Sequence, residues 1–506
     1  LEEFFDVTDP DSPNFRDFNA EVEEALQNEF PFAPFQTGQV SFFAQDEYRA
    51  SDNLNLTFGL RIDVPQYYSD LTPTPDANAQ QLLDENGNPE MITFDEFPDS
   101  QILWSPRFGF NWDASGGERT TQVRGGTGVF SGRPPFVWLS NQATNPGSVA
   151  AVDDLKWPQV WRTNIALDQV LPDNSLLTLE LLYGNAVNDI FIRNAALANP
   201  VGNLPAPDGR VRYDPDNNRV GNDAYITDNT GDGYDVSFTT QIRKIFESGL
   251  ATSLAYNFTE AKDNLDSTEI AAFIFAGNPV QGNPNNFDAS FSQFGHRHRI
   301  TGAANYRQQW SDNWATSFGL FFEAARGGFF TAGRTSKYSY TYLGDVNGDG
   351  ESGNDLIYIP RDMSEMHFEP IPGGASPAQQ ATAFDAFIRQ DPYLSDHRGE
   401  IAERNGAINP WFTNLDLRIL QDFLVGPNTL EVSLDILNFG NLINSDWGVR
   451  EVVNSAARTP LVFNGNFDAQ GNPLFQFPGA ATSTFIDDIS VISRWQIQLG
   501  FRYIFN

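Results

Sequence analysis

Thirteen segments of this chain alternate apolar and polar residues with a period of two, and the last shows the pattern most clearly. Ile492 to Phe505 reads ISRWQIQLGFRYIF, with Trp495, Ile497, Leu499, Phe501, Tyr503 and Phe505 on one parity and Arg494, Gln496, Gln498, Gly500 and Arg502 on the other. Successive side chains of a β-strand point to opposite faces, so this segment is a strand with one greasy and one wet face. A tilted strand needs about 9–11 residues to cross a bilayer, and this one is long enough. Its aromatic residues gather at both ends, where a membrane strand leaves the hydrocarbon. A soluble sandwich strand has the same local pattern, so recurrence decides between the two.

The pattern recurs in pairs. Gly38–Arg49 and Asn53–Val64 flank the turn at Ala50-Ser51-Asp52. Trp104–Asp113 and Arg119–Phe130 flank ASGGE, Pro158–Val170 and Leu176–Val187 flank LPDNS, and Gly233–Ile245 and Leu250–Ala261 flank FESG. Arg297–Gln309 and Trp314–Ala325 flank WSDN, Trp411–Leu424 and Thr429–Phe439 flank VGPN, and Ile492–Phe505 stands last. Between these hairpins lie long segments rich in Asn, Asp, Gly and Pro: 65–103, 131–157, 186–232, 262–296, 326–410 and 440–491. Those are residues of turns and irregular connections. Short and long links alternate throughout, as in a transmembrane antiparallel β-barrel with short turns on one side and long loops on the other. The predicted fold is therefore all-β, with residues 38–506 forming barrel and residues 1–37 a loop that carries a short helix near Phe18–Leu26. Thirteen is odd, and single-chain bacterial barrels have even strand numbers. We therefore expect an odd number of further strands outside this numbering; nine would make twenty-two.

Composition narrows the function. The net charge is −35, with 66 acidic against 31 basic residues. That balance excludes nucleic acid as a partner, because its phosphates would be repelled. It suits acidic surface loops and divalent cations. Cysteine is absent, which fits passage through an oxidising compartment. No run approaches the roughly 18 apolar residues of a membrane helix. A mean hydropathy of −0.38 is compatible with a barrel, since only alternate strand residues face lipid. The first residue is Leu and no leader is visible, so we expect part of a longer protein.

Several stretches carry a family likeness: FFAQDEYRASDNLNLTFGLRID, SPRFGFNWD, RGGTGVF, PQVWRTNIALDQ, GDVNGDGESGNDLIYIPRD, and WFTNLDLRILQDF with LEVSLDILNFGN. With the final strand they cover most of the chain. In this order the sequence resembles the C-terminal barrel half of a TonB-dependent outer-membrane receptor, particularly of the Oar-like branch. The aromatic end of the last strand resembles the assembly signal of outer-membrane barrels. The resemblance implies a 22-stranded barrel in a Gram-negative outer membrane, in contact with lipid and lipopolysaccharide. It also implies an N-terminal plug, outside this chain, that couples to the TonB–ExbB–ExbD complex. Active uptake of a scarce ligand follows, with a surface lipoprotein as a further partner.

Two loop regions carry candidate chemistry. In DVNGDGESGND, Asp345, Asn347 and Asp349 occupy positions 1, 3 and 5, and Gly350 occupies position 6, of an EF-hand-type calcium loop. Position 12 is Leu356 where a bidentate Glu belongs, so Asp355, one residue early, has to supply the last carboxylate. With the Glu351 carbonyl these residues are the predicted calcium ligands, and calcium is the expected cofactor. Four acids within eleven residues repel one another unless a cation intervenes. The second region lies in the folded loop 326–410. There Ser376-Pro377 starts a predicted helix to about Gln390, with Phe384, Phe387 and Ile388 on one face. After it His397, Arg398, Glu400, Glu403 and Arg404 either bind ligand or knit the loop through ion pairs.

His296 and His298 share one strand face but lack a third metal ligand. No catalytic constellation stands out. The polar-parity arginines Arg61, Arg124, Arg162, Arg418 and Arg502 are expected to line the lumen. An active transporter is thus the first reading; a passive porin and a surface glycan-binding β-protein are the alternatives.

Overall fold

The computed structural model describes residues 35–505 except 119, 266–268, 328, 331–333, 336 and 480–481. The expected helix near Phe18–Leu26 lies outside the described residues. The thirteen predicted strands all form: β1 Thr37–Ser51, β2 Leu54–Tyr67, β3 Leu103–Asp113, β4 Thr121–Ser131, β5 Gln159–Val170, β6 Leu176–Asn194 and β7 Tyr234–Ile245. They continue as β8 Ala251–Asp263, β9 His298–Ser311, β10 Trp314–Arg326, β11 Phe412–Val425, β12 Asn428–Leu437 and β13 Gln496–Ile504. Each pairs antiparallel with its neighbours in chain order, and the path runs from β1 to β13. Among the described residues β1 pairs with β2 alone and β13 with β12 alone. The tight links turn where the chain supplies left-handed residues: Gly249 at φ 83° between β7 and β8, and Gly426 at φ 64° between β11 and β12.

The register sorts the side chains. Leu499, Phe501 and Tyr503 of β13 lie opposite Leu434, Val432 and Leu430 of β12. The same face continues through Ile419 of β11, Phe318 of β10 and Tyr306 of β9. It reaches Phe108 of β3 and Phe58 of β2 at the far side of the sheet. Leu499 is 65% exposed and Phe501 75%, which in water would be a costly apolar surface and in a bilayer is the expected one.

The opposite face holds ion pairs: Arg61–Asp63 at 2.8 Å, Arg124–Asp168 at 3.2 Å, Arg418–Asp435 at 3.4 Å and Arg502–Glu431 at 3.2 Å. Arg162 sits in register with Gly128 and Gly184 on that face.

Two strands differ from expectation. β13 begins at Gln496, because Val491–Ser493 forms a turn of 3₁₀ helix before it. β6 runs seven residues past the predicted end at Val187. Ile190 to Asn194 leave the wall and are buried, paired with Tyr225–Thr230, which in turn pairs parallel with Val149–Ala151.

The long connections hold most of the buried core. Around the β6 extension, helices α1 (Phe136–Thr144) and α2 (Ala271–Gly277) bring Trp138, Ile274 and Phe275 against Ile190 and Ile192. In the longest connection, α3 (Pro377–Gln390) begins with the expected Ser376 cap. Ser376 Oγ accepts from the Gln379 N–H, and the Gln379 side chain accepts from the Ser376 N–H. α3 lays Phe384, Phe387 and Ile388 into a cluster with Tyr340, Tyr342, Ile357, Leu461 and Phe477.

Candidate functional site

The acidic loop stands on a short stem. Thr341 bridges Leu356, and the Tyr342 N–H donates to the Asp355 carbonyl at 2.9 Å. Inside the loop the four predicted side-chain ligands cap backbone. Asp345 accepts from the N–H groups of Gly348 at 2.7 Å and Gly350 at 2.8 Å. Asn347 accepts from Asp349 at 2.9 Å, and Asp349 accepts from Glu351 at 2.8 Å. Asp355 accepts from Val346 and Asn347 on one oxygen, at 2.7 and 3.1 Å, and from the Arg210 guanidinium on the other, at 3.2 Å.

Arg210 and Arg219 were not legible as partners, because both come from the distant connection after β6. Arg219 donates to the Asp349 carbonyl at 2.5 Å and to the Glu351 carboxylate at 3.3 Å.

Asn347, Asp349 and Asp355 are fully buried. Burial, with Asp355 and Asp345 close by, pushes the Asp349 carboxyl up to about 7. Burial also raises Asp345, Glu351 and Asp355, the last against the pull of Arg210. The buried Asn354 side chain donates to Asp349 at 3.3 Å, and its side-chain oxygen Oδ1 has no partner. Among the described residues no three His, Cys, Asp or Glu side chains converge as a metal-holding group.

The second region divides in two. Arg398 donates to the Pro360 carbonyl at 3.0 Å and to Asp385 at 2.8 Å. Arg404, 2% exposed, donates to the Asn264 carbonyl at 2.6 Å, to Asn278 at 2.8 Å and to Asp263 at 2.8 Å. Both arginines knit loops together. His397 stacks on Tyr393, ring centres 4.1 Å apart, and with Glu400 it lines a groove of about 580 Å³. The two histidines do not share a strand face, because β9 begins at His298 and His296 lies before it; His298 bonds Tyr256 at 2.9 Å and stacks on Trp411.

That groove adjoins two more cavities. One of about 350 Å³ shares Gln281 and Glu403 with it and adds Lys262, Asp288 and Arg404. A third of about 260 Å³ shares Asn286 and Phe287 with the second. The segment from Val280 to Phe287 is the common wall, and the acidic loop props it from behind. Val280 N–H donates to the Asn354 carbonyl at 2.8 Å, and Leu356 N–H donates back to Val280 at 3.0 Å. Asn347 donates to the Gly282 carbonyl at 2.9 Å. The chemistry on offer is polar binding by side chains from four separate connections, and no sequence motif marks it.

Comparison with known proteins places the wall. The family model described as an outer membrane beta barrel domain matches residues 14–153 and 139–457. No curated protein sequence matches at a significant level. Among solved structures, the outer membrane transporter YddB from Escherichia coli is similar at 11% identity and TM-score 0.42, over 92% of this chain and 54% of that one. The FrpB iron transporter from Neisseria meningitidis (F3-3 variant) gives 11% and 0.39, over 87% and 45%. BauA, the ferric preacinetobactin receptor from Acinetobacter baumannii, gives 11% and 0.39, over 83% and 40%. The chain thus spans about half the length of the solved transporters it matches. With its apolar outer face and its matched length, the chain belongs to the outer membrane beta barrel domain family and is a β-barrel protein of the outer membrane.

Proposed function

We propose that this chain supplies wall and extracellular loops to a TonB-dependent uptake receptor of the Oar-like branch, energised by TonB–ExbB–ExbD through a plug outside this sequence. The observation that carries the reading is the groove of linked cavities along Val280–Phe287, held by packed loops rather than by loose connections. A passive pore has no need of a packed, polar capture surface. The apolar outer face, continuous from β2 to β13, weighs against a soluble glycan-binding protein. The test compares spent medium from wild-type cells, cells lacking this protein and cells lacking TonB. Uptake predicts a compound left behind by both deletions. Depletion that needs the protein but not TonB is the porin result and overturns the reading.

Calcium in the Asp345–Asp355 loop is the second part of the proposal, with structural stiffening of the groove wall as its role. The support is the 1, 3, 5 placement of Asp345, Asn347 and Asp349, the raised carboxyls, and the partnerless oxygen of Asn354 beside them. The pH dependence follows. With Asp349 raised to about 7, the folded loop keeps protons that the unfolded loop releases from about pH 4 upward. Without a cation, loop stability therefore falls as pH rises through that window. Bound calcium keeps the carboxylates ionised and removes the fall. Limited proteolysis at pH 5 and pH 8, with and without calcium, checks this. If Asp349→Ala changes neither calcium uptake nor protease resistance, the site is abandoned.

A further inference from the structure

We infer that the outer face of the wall, where β9 and β10 meet the long loops, binds the phosphate of a lipid headgroup through Arg326. The site depends on the membrane placement of the chain and not on uptake. Among the described residues of the wall, Arg326 is the one arginine on the lipid-facing parity. It shares that parity with Phe318, Leu320 and Ala324 of β10, whereas Arg61, Arg124, Arg299, Arg307, Arg418 and Arg502 take the other. Arg326 is half-buried and stands in register with His298. Its side chain makes no ion pair and no hydrogen bond with a described residue.

Depth puts this cation at the headgroups. Trp310, on the same parity of β9 and 57% exposed, marks the opposite rim. From Trp310 to His298 the strand runs twelve residues, roughly 40 Å at about 3.3 Å each. A tilt of about 35–45° turns that length into a rise of roughly 30 Å, and the apolar band of a barrel is about 25 Å tall. Arg326, level with His298, therefore stands just past the hydrocarbon on the side of the long loops. Aromatic rings of an interfacial belt share that level. Trp411, 45% exposed, stacks on His298 with ring centres 5.7 Å apart, and Tyr256 bonds His298 at 2.9 Å.

The nearby carboxylates are committed elsewhere. Glu260 lies on the same face of β8, beyond Phe258. Arg297 takes one of its oxygens at 2.5 Å and the Tyr234 hydroxyl takes the other at 2.7 Å. Lys262, further along that strand, lies 3.7 Å from Glu403. Lys262, Arg297 and Arg326 against Glu260 and Glu403 leave this stretch net positive, on a chain whose net charge is −35. A cation at the edge of hydrocarbon reaches for water or for a headgroup anion. Water solvates it without holding anything in place. A lipid phosphate at that depth accepts two parallel charge-assisted hydrogen bonds from the planar fork of an arginine.

The test is native mass spectrometry of the full-length protein in detergent, stripped of lipid and then offered phosphorylated lipid A, dephosphorylated lipid A or phosphatidylglycerol. The wild type is expected to retain the lipids that carry a phosphate and to release dephosphorylated lipid A. Arg326→Gln is expected to weaken retention about fivefold, and Arg326→Lys to weaken it less. Arg502→Gln removes the same charge from the lumen parity and is expected to leave retention unchanged, with all three variants still heat-modifiable on gels. Tighter retention of phosphatidylglycerol than of lipid A supports the site and assigns it to a glycerophospholipid. Equal retention of dephosphorylated lipid A overturns the proposal in favour of acyl contact alone. Release of the lipid by inorganic phosphate overturns it in favour of a soluble anion site. Retention that survives Arg326→Gln, or that falls as far in Arg502→Gln, also overturns it. Should Arg326→Gln fail to form a barrel, the two forms of lipid A on the wild type decide. The measurement needs no transport, so its failure leaves the TonB comparison standing.

Discussion

The barrel wall and the loop assembly above it solve opposite problems with the same twenty side chains. In the wall the large apolar residues point outward and stay exposed, as Leu499 and Phe501 do. In the loops they point inward, and Tyr340, Phe384 and Ile388 are at most 1% exposed. Their clusters draw on loop residues and on the β6 extension, apart from a small one that holds the strand tops Ala325 and Phe412. Lipid is the solvent for the first region and water for the second. Between β1 and β13 the wall satisfies its backbone strand to strand, as a structure crossing hydrocarbon must. The loops fold as a soluble domain does, by burying a core.

Substitutions that hit one region and spare the other test this division. Phe384→Ala empties a fully buried site in α3 and is expected to cost about 3–5 kcal/mol locally. Loop 326–410 should become protease-sensitive while the barrel stays heat-modifiable on gels. Loss of the barrel as well means that wall and loops unfold as one unit. Leu499→Arg attacks the other side, since a charge near the membrane midplane costs about 2–4 kcal/mol on a barrel's lipid face. The yield of heat-modifiable protein should fall sharply, and a normal yield counts against the register given above.

Smaller effects sharpen the picture. Ser376→Ala removes the cap of α3 and is expected to cost ~1 kcal/mol. Hydrogen exchange in the first turn should speed up, with the strands unchanged; an unaltered helix start says that packing of Phe384 and Phe387 outweighs the cap. Arg502→Gln breaks an ion pair whose arginine is 71% exposed. Such pairs are worth at most about 1 kcal/mol, so the unfolding midpoint should hardly move. A large drop assigns the polar face a structural weight that its exposure does not suggest.

The strands were legible because period-two alternation is a local property that the bilayer enforces on each strand separately. Leu499 faces out for reasons contained within residues 495 to 505. The cap of α3 was legible for the same reason, since Ser376, Pro377 and Gln379 lie within one turn. The calcium-type spacing of Asp345, Asn347 and Asp349 was also visible. The partners of that loop were not. Arg210 and Arg219 reach it across about 140 residues, and nothing near them in the chain announces Asp355 or Glu351.

The groove was least visible of all. His397 and Glu400 were among the candidates, but Glu85, Asp228, Asp232 and Asn264 come from three other connections and sit in ordinary loop sequence. The sequence by itself determined the all-β wall, its two faces and its short turns, because each follows from contacts between near neighbours under a uniform solvent. Only the tertiary structure decided which loops pack together, that β6 leaves the wall at Asn188 to join them, and where the cavities open. Those depend on apolar surfaces from distant segments finding one another, and burial of that kind has no local period to read.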